Sequence, residues 1–272
     1  MGNYLVTGAA GGMGRAICDA LTTGGHRIWG LDRAVTEAAE GWTSLAADLT
    51  RAPELECALE QIRAEAGALD GIVHAAGVYD LDSLVEMPED AFVRDFDVNL
   101  FGAFRINRLF LPLLRRGGRI VLITSELAPL HPLPFTGIYA VTKAALDRYA
   151  EALRMELQLL GISVIVLRPG AVRTGMLSVS TEKLERFCEK TQLYPCNAAR
   201  FRQIVDRIEA RSVPPERVAA LICHALSTPR PRLCYSLNRN PLLLLFELCP
   251  ARLRLFLIRK ILEDRNGKDS QR

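Results

Sequence analysis

The sequence predicts an α/β fold: a doubly wound, mostly parallel, seven-stranded sheet with helices on both faces, a helical lid and a helical C-terminal tail. Three observations predict it. Over the first 170 residues, short apolar or β-branched runs alternate with longer runs of helical periodicity. A glycine-rich turn, Gly8 to Gly14, follows the first of these runs and opens the first helix. An acidic residue, Asp32, closes the second run.

In chain order, strands are predicted at residues 4–6, 26–31, 44–47, 71–75, 119–124 and 163–167, with a last one at 233–236. Helical periodicity lies at 13–22, 53–66, 100–114 and 139–160. Pro53 suits a helix start, and Gly117-Gly118 and Gly161 suit positions just past helix ends. The connection after Asp32 is short, so the second crossover helix is expected to be reduced. Residues 174–214 are polar, with weaker helical signals at 182–190 and 199–210. Ligands of open α/β sheets bind at the carboxyl ends of the strands, so an insertion after the sixth strand is placed to act as a lid. The reading is one dinucleotide-binding and catalytic domain over 1–239, followed by an apolar and basic extension over 240–272.

Composition narrows the function. The 272 residues are 49% hydrophobic and 24% charged, enough to bury a sizeable core, and 20 Gly with 14 Pro, near average usage, exclude a collagen-like or low-complexity chain. A net charge of +3 is too small to argue for nucleic acid. Its distribution is uneven, because residues 250–272 hold seven cations against three anions, a net +4, and the rest of the chain sums to −1. Seven scattered cysteines without a CxxC pair point to free thiols in a reducing compartment. The four histidines lie far apart, so no metal site is expected. A glycine loop stands where an apolar leader would lie, which favours a cytoplasmic protein.

The glycine turn lets the backbone approach a pyrophosphate, and the helix N-terminus behind it attracts negative charge. Asp32 can accept hydrogen bonds from an adenosine ribose and would repel a 2′-phosphate, which favours NAD over NADP. The adjacent Arg33 works the other way, since a guanidinium accommodates a phosphate. Tyr139 and Lys143 are four apart at the start of a strongly periodic helix and share a face. An ammonium beside a phenol lowers the tyrosine pKa and makes it usable as an acid–base group. Ser125 ends a predicted strand fourteen residues before Tyr139, where its hydroxyl can meet a substrate oxygen.

Taken together, these residues resemble the short-chain dehydrogenase/reductase family, in its compact single-domain, NAD-preferring form with a Rossmann-type sheet. The matching motifs are Thr7-Gly-x-x-x-Gly12-x-Gly14, Asp48-Leu49, His74-Ala-Ala-Gly77, Asn99, Ser125, Tyr139-x-x-x-Lys143, and Pro169-Gly170 followed by Val172 and Thr174. The resemblance implies that Tyr139 is the general acid–base, that Ser125 holds the substrate oxygen, and that Lys143 binds the nicotinamide ribose. It implies that Asn99 holds a water that relays protons through Lys143. A cofactor seat of Gly8, Gly12, Met13, Gly14, Asp32, Asp48, Leu49, Ala75, Gly77, Pro169, Gly170, Val172 and Thr174 follows, shared with Tyr139 and Lys143. Two positions depart from the pattern. His74 stands where the family has Asn and is expected to brace the sheet rather than do chemistry. The Ser125–Tyr139 gap is one longer than usual. Glu126 has the usual spacing, but a carboxylate is a poor partner for an oxyanion.

Between Ser125 and Tyr139 the chain is apolar and holds three prolines; with Met176, Leu177 and the lid it predicts a pocket for a bulky, steroid-like or lipid-derived alcohol or ketone. The surplus of apolar residues on helices 100–114 and 139–160 predicts a homodimer or homotetramer. The tail, leucine-rich with spaced arginines and broken by Pro250, is expected to pack on protein, with an anionic membrane surface as the alternative. The function expected is NAD(H)-dependent interconversion of a secondary alcohol and a ketone. Alternatives are a catalytically silent dinucleotide sensor, a membrane-surface lipid ketone reductase, and an epimerase or dehydratase, for which the segment after Thr174 leaves little room.

Overall fold

Seven parallel strands form one sheet in the order β3-β2-β1-β4-β5-β6-β7. They are β1 (Asn3–Thr7), β2 (Arg27–Asp32), β3 (Thr43–Ala46), β4 (Leu69–His74), β5 (Leu114–Ile123), β6 (Ser163–Pro169) and β7 (Cys234–Leu237). The computed structural model describes residues 1–34 and 41–263, apart from the side chains at 176–180 and 209. Leu5 of β1 pairs with Trp29 on one side and Ile72 on the other, so the strand order reverses at β1 and a crevice opens between the ends of β1 and β4. The sequence predicted this sheet. The second crossover falls partly on residues 35–40, outside the described residues.

Alternation along each strand divides two cores. Leu5, Ile72, Ile120 and Val164 face one side, where they meet α2 (Ala52–Ala66), α4 (Gly102–Phe110) and α5 (Gly137–Leu157). Their neighbours Val6, Val73, Val121 and Ile165 face the other side, against α1 (Gly12–Thr23) and α8 (Pro215–Ser227). Because both faces are covered, the strands read as continuous apolar runs. All seven cysteines are free.

The predicted helix at 100–114 divides into three pieces. A π-helical turn, Asp97–Phe101, feeds α4, and a short 3₁₀ turn, Leu111–Leu113, ends it. Pro112 explains the early stop: it has no N–H to give the helix, so Leu111 keeps α geometry and the chain turns extended at Leu114. A further helix before the π turn, α3 (Glu89–Phe96), was not anticipated. His74 braces the sheet as expected. Its Nε2 lies 2.8 Å from Asn107 Oδ1 on α4, and Asn107 Nδ2 donates to the Tyr149 hydroxyl on α5 at 3.1 Å. Burial pushes the imidazole pKa down to about 4, which keeps it neutral and lets Nε2–H donate to the amide oxygen.

Residues after β6 form a third, smaller core. Here α6 (Gly175–Lys190) and α7 (Pro195–Glu209) start earlier than the sequence signals suggested. Leu184 and Phe187 meet Phe201 and Val205, and Leu262 closes the cluster from the last helix. Phe135, whose φ of 62° places a bulky residue in the left-handed region, is gripped by the rings of Phe187, Tyr194 and Phe201 at 5.0–5.4 Å. The tail forms α9 (Pro241–Glu247) and α10 (Ala251–Leu262), parted at Pro250 as read from the sequence. Asn197 and Arg200 of α7 donate to the Leu262 and Ile261 carbonyls, and His131 bonds Glu247 through its N–H at 2.8 Å and its ring at 2.5 Å. Among the described residues no helix is long and apolar enough to cross a membrane.

Candidate active site

At the end of β1 the turn into α1 has room for backbone only. Gly8 has φ of 71°, and a Cβ there would lie 2.6 Å from Ala76 Cα. A Cβ on Gly14 would collide with the Gly8 carbonyl, and one on Gly12 would come within 2.9 Å of Thr174 Cγ2. The N-cap of α1 is Gly11, which has no side chain to cap it, so the helix N-terminus keeps its partial positive charge. The Asp32 carboxylate at the end of β2 is oriented by this turn. It accepts from the Ala10 N–H at 3.0 Å and the Ala34 N–H at 3.2 Å. Asp48, after β3, accepts from Thr50 N–H and Oγ1 at 2.8 Å each. Burial raises the Asp48 pKa, but those bonds together with Arg33 and Arg51 outweigh it and hold the carboxylate ionised below its ordinary range. Leu49 is buried, and a Cβ on Gly102 would reach it at 3.0 Å. A cradle without side chains, a helix N-terminus and an oriented carboxylate fit a dinucleotide.

The second half of the site lies at the ends of β4, β5 and β6. Ser125 follows β5 and is buried; its Oγ accepts from the Leu127 N–H at 3.2 Å and is hydrogen-bonded with Tyr139. Tyr139 and Lys143 lie one turn apart at the start of α5, as predicted, with Nζ 5.8 Å from the phenol ring centre. Asn99 is presented by the π-helical turn. Its Oδ1 accepts from the Val78 N–H at 2.8 Å, and its Nδ2 donates to the Val78 carbonyl at 3.1 Å and Thr142 Oγ1 at 3.0 Å. Gly77 separates these groups: a Cβ there would lie 3.0 Å from Asn99 Oδ1 and 3.2 Å from Lys143 Nζ.

The expected electrostatics of the pair need correction. Burial pushes the Tyr139 phenol up to about 12, against a lowering from Ser125 and with a further rise from Glu126. Burial also lowers the Lys143 pKa to about 8. Its Nζ donates to the Ile123 carbonyl at 3.1 Å, so the ammonium does not offset the cost of burying a phenolate.

Ser125, Tyr139 and Lys143 line one cavity of about 140 Å³, together with Met13, Ala75, Gly77, Pro169, Gly170, Val172 and Thr174. Asp32, Asp48 and Leu49 are not among its walls, and Asn99 stands behind Gly77. The apolar wall expected from the segment after Ser125 is supplied by Leu127 and Leu133, opposite Phe201 and Ile204 of α7. The side chains of Met176 and Leu177 are outside the described residues. Sequence reasoning missed Tyr79, whose ring packs edge-on to Tyr139 at 4.4 Å, and Thr142, which ties Asn99 to the Tyr139 carbonyl. Tyr79 stands two residues past Gly77, and nothing local in the sequence marks its contact with Tyr139.

Comparisons with known proteins agree with this geometry. A family profile described as short chain dehydrogenase matches residues 3–185. The chain is 27% identical over 229 residues to a 3-ketodihydrosphingosine reductase of Bacteroides thetaiotaomicron, covering 84% of each chain. It is 26% identical over 246 residues to an NADPH-dependent 3-dehydrocapnine reductase of Ornithobacterium rhinotracheale, covering 85% of this chain and 86% of the relative. Among solved structures, a short-chain dehydrogenase from Streptomyces avermitilis superposes with a TM-score of 0.75 at 24% identity, covering 96% of both chains.

Proposed function

Because the chain belongs to the short-chain dehydrogenase family, we propose that it is an NAD(H)-linked oxidoreductase that interconverts a secondary alcohol and a ketone on a bulky apolar, lipid-derived or steroid-like substrate. The observation that carries this reading is the placing of Ser125, Tyr139 and Lys143 on the floor of one apolar-walled cavity. A bound nicotinamide dinucleotide supplies the hydride acceptor or donor. Gly8, Gly12, Met13 and Gly14 would hold its pyrophosphate, Asp32 the adenosine ribose, and Asp48 and Leu49 the adenine. Ala75, Gly77, Pro169, Gly170, Val172 and Thr174 would hold the nicotinamide end, with Tyr139 and Lys143 at its ribose.

Tyr139 moves the proton of the substrate hydroxyl. With its pKa raised by burial it is protonated at neutral pH, and in ketone reduction it gives that proton to the nascent alkoxide. Ser125 donates a hydrogen bond to the same oxygen. Lys143, with its lowered pKa, exchanges protons readily near neutrality. Asn99 Oδ1 spends one lone pair on the Val78 N–H and keeps the other for a water that relays protons through Lys143. The preference for NAD rests on the oriented Asp32 carboxylate; Arg33 and an NADPH-dependent relative weigh against it.

The test combines dinucleotide titration by fluorescence with reduced-nicotinamide absorbance over steroid, lipid-ketone and small polyol substrates. Apolar ketones turn over, NADH binds more tightly than NADPH, and Tyr139→Phe lowers kcat by about 10²–10⁴ while binding persists. Turnover of polyols alone overturns the substrate class, and turnover indifferent to Tyr139→Phe overturns the mechanism. Dinucleotide binding with no turnover of any substrate would favour the silent sensor.

Three further expectations stand with this reading. The body over 1–239 is one domain with 174–214 as its lid. Exposed Phe101 and Phe104 near α4, and Val141 and Met155 on α5, suit burial against a second copy in a dimer or tetramer. The protein is cytoplasmic. A second reading of the tail rests on exposed Leu245, Leu248, Leu255 and Phe256 beside Arg252, Arg254 and Lys260, a pattern that suits an anionic bilayer surface. Flotation with anionic liposomes separates the two: unbound protein leaves packing on protein, and co-flotation establishes the membrane reading.

A further inference from the structure

Behind the cavity above Tyr139 lies a larger chamber of about 530 Å³, between α7, residues 238–243 and α10. Leu133, Phe201, Ile204 and Leu243 line both spaces, as does Glu126, so the two adjoin along a wall that is apolar apart from that carboxylate. A volume of this order accommodates a ligand of drug or fatty-chain size. The polar groups in its wall are mostly engaged with one another. Glu126 Oε2 accepts from the Asn240 N–H at 2.7 Å, Asn240 Oδ1 accepts from the Leu242 N–H at 3.0 Å, and Asn238 Nδ2 donates to the carbonyls of Ala171 and Arg211.

Three cations remain. Arg207 on α7, Arg211 just after it and Arg239 after β7 all border the chamber and are exposed. Among the described residues none of them forms a salt bridge. Glu126 and Arg239 do feel each other, which lowers the Glu126 pKa against the larger rise from burial. One carboxylate against three guanidiniums leaves the mouth cationic. Guanidiniums at the mouth of an apolar chamber match a ligand with a hydrocarbon body and one anionic end.

We propose that this chamber seats the far end of the substrate, and that the substrate is an amphiphile: its ketone or alcohol at Tyr139, its hydrocarbon body along the lining that the two spaces share, and a carboxylate, sulfonate or phosphate ester at Arg207, Arg211 and Arg239. This rests on the oxidoreductase reading for the position of the reacting carbon, and on the chamber alone for the anion. A free inorganic anion lacks the body that the apolar wall would bury, and a neutral lipid lacks the end that the arginines would hold.

The test measures binding apart from turnover. The fluorescent fatty acid cis-parinarate is bound to the full chain and displaced by laurate, by methyl laurate or by inorganic phosphate. Laurate is expected to displace it at about tenfold lower concentration than the ester, and phosphate not at all. In the double variant Arg207→Gln/Arg211→Gln the acid and the ester become nearly equal, while displacement by the ester and dinucleotide binding stay unchanged, which shows that the variant is folded. Equal displacement by acid and ester in the unaltered protein, or an undiminished preference in the double variant, overturns the anion site, and displacement by phosphate overturns the need for a hydrocarbon body. A second arm compares reduction of a long-chain oxo acid with its methyl ester. A higher kcat/KM for the acid that vanishes in the double variant supports continuity with Tyr139, and equal values overturn it. If no ketone turns over at all, the oxidoreductase reading fails while the displacement result still judges the anion site.

Discussion

The sheet with its two flanking cores and the cap made of α6, α7 and the tail are built on different principles. In the sheet, Leu5, Trp29, Ile72, Ile120 and Val121 are sealed from solvent, and the site groups are held by buried polar pairs such as His74–Asn107 and Asn99–Thr142. The cap rests on a small cluster around Leu184 and Phe201 and on ties at its rim, among them His131–Glu247 and the Lys183 bond to Asp80. Stability is not uniform across a fold, and elements with few buried contacts open first. Under the proposed function the difference would separate duties: the body would fix where a proton and a dinucleotide meet, and the cap would decide what is admitted beside them.

Damage to each region should therefore read out differently. Leu184→Ala empties the centre of the cap core, where Leu184 is fully buried, at a cost of about 2–5 kcal/mol. Hydrogen exchange across 175–209 accelerates and KM for the alcohol or ketone rises, while the dinucleotide dissociation constant stays put. Loss of dinucleotide binding in this variant would break the separation. A smaller effect belongs to the body. An unfolded chain protonates His74 near 6.5, whereas the folded protein holds it neutral down to about 4. The stability this site contributes is complete above pH 6.5 and is lost as pH falls toward 4, by up to about 3 kcal/mol. His74→Asn removes that loss, so denaturation midpoints of variant and parent should converge toward the acid end of the window. A constant difference between them across pH 4–6.5 would show that the imidazole is already charged in the fold.

Local signals made the body legible. The glycine turn, Asp32 at a strand end and Tyr139-x-x-x-Lys143 at helical spacing each declare themselves within a few residues, and the structure keeps them where the spacing put them. What escaped depends on contacts between distant segments. The π-helical turn that presents Asn99 has no local signature, and Tyr79 meets Tyr139 only because the segment after Gly77 folds against the start of α5. The early start of α7 was readable, since Pro195 stands in its first turn, a position proline favours. The raised Tyr139 pKa was not: helix spacing brings an ammonium close but says nothing of how deeply the phenol is buried.

Thr174 begins the cap, yet its methyl group lies where a side chain on Gly12 would go. The wall of one compartment is thus the floor of the other. For protein engineering this sets a cutting point. Exchanging the cap for that of a relative to change substrate range is best done from Gly175 onward, keeping Thr174 with the body. A graft that replaces Thr174 by a larger residue would press on the glycine turn and degrade dinucleotide binding in the same stroke.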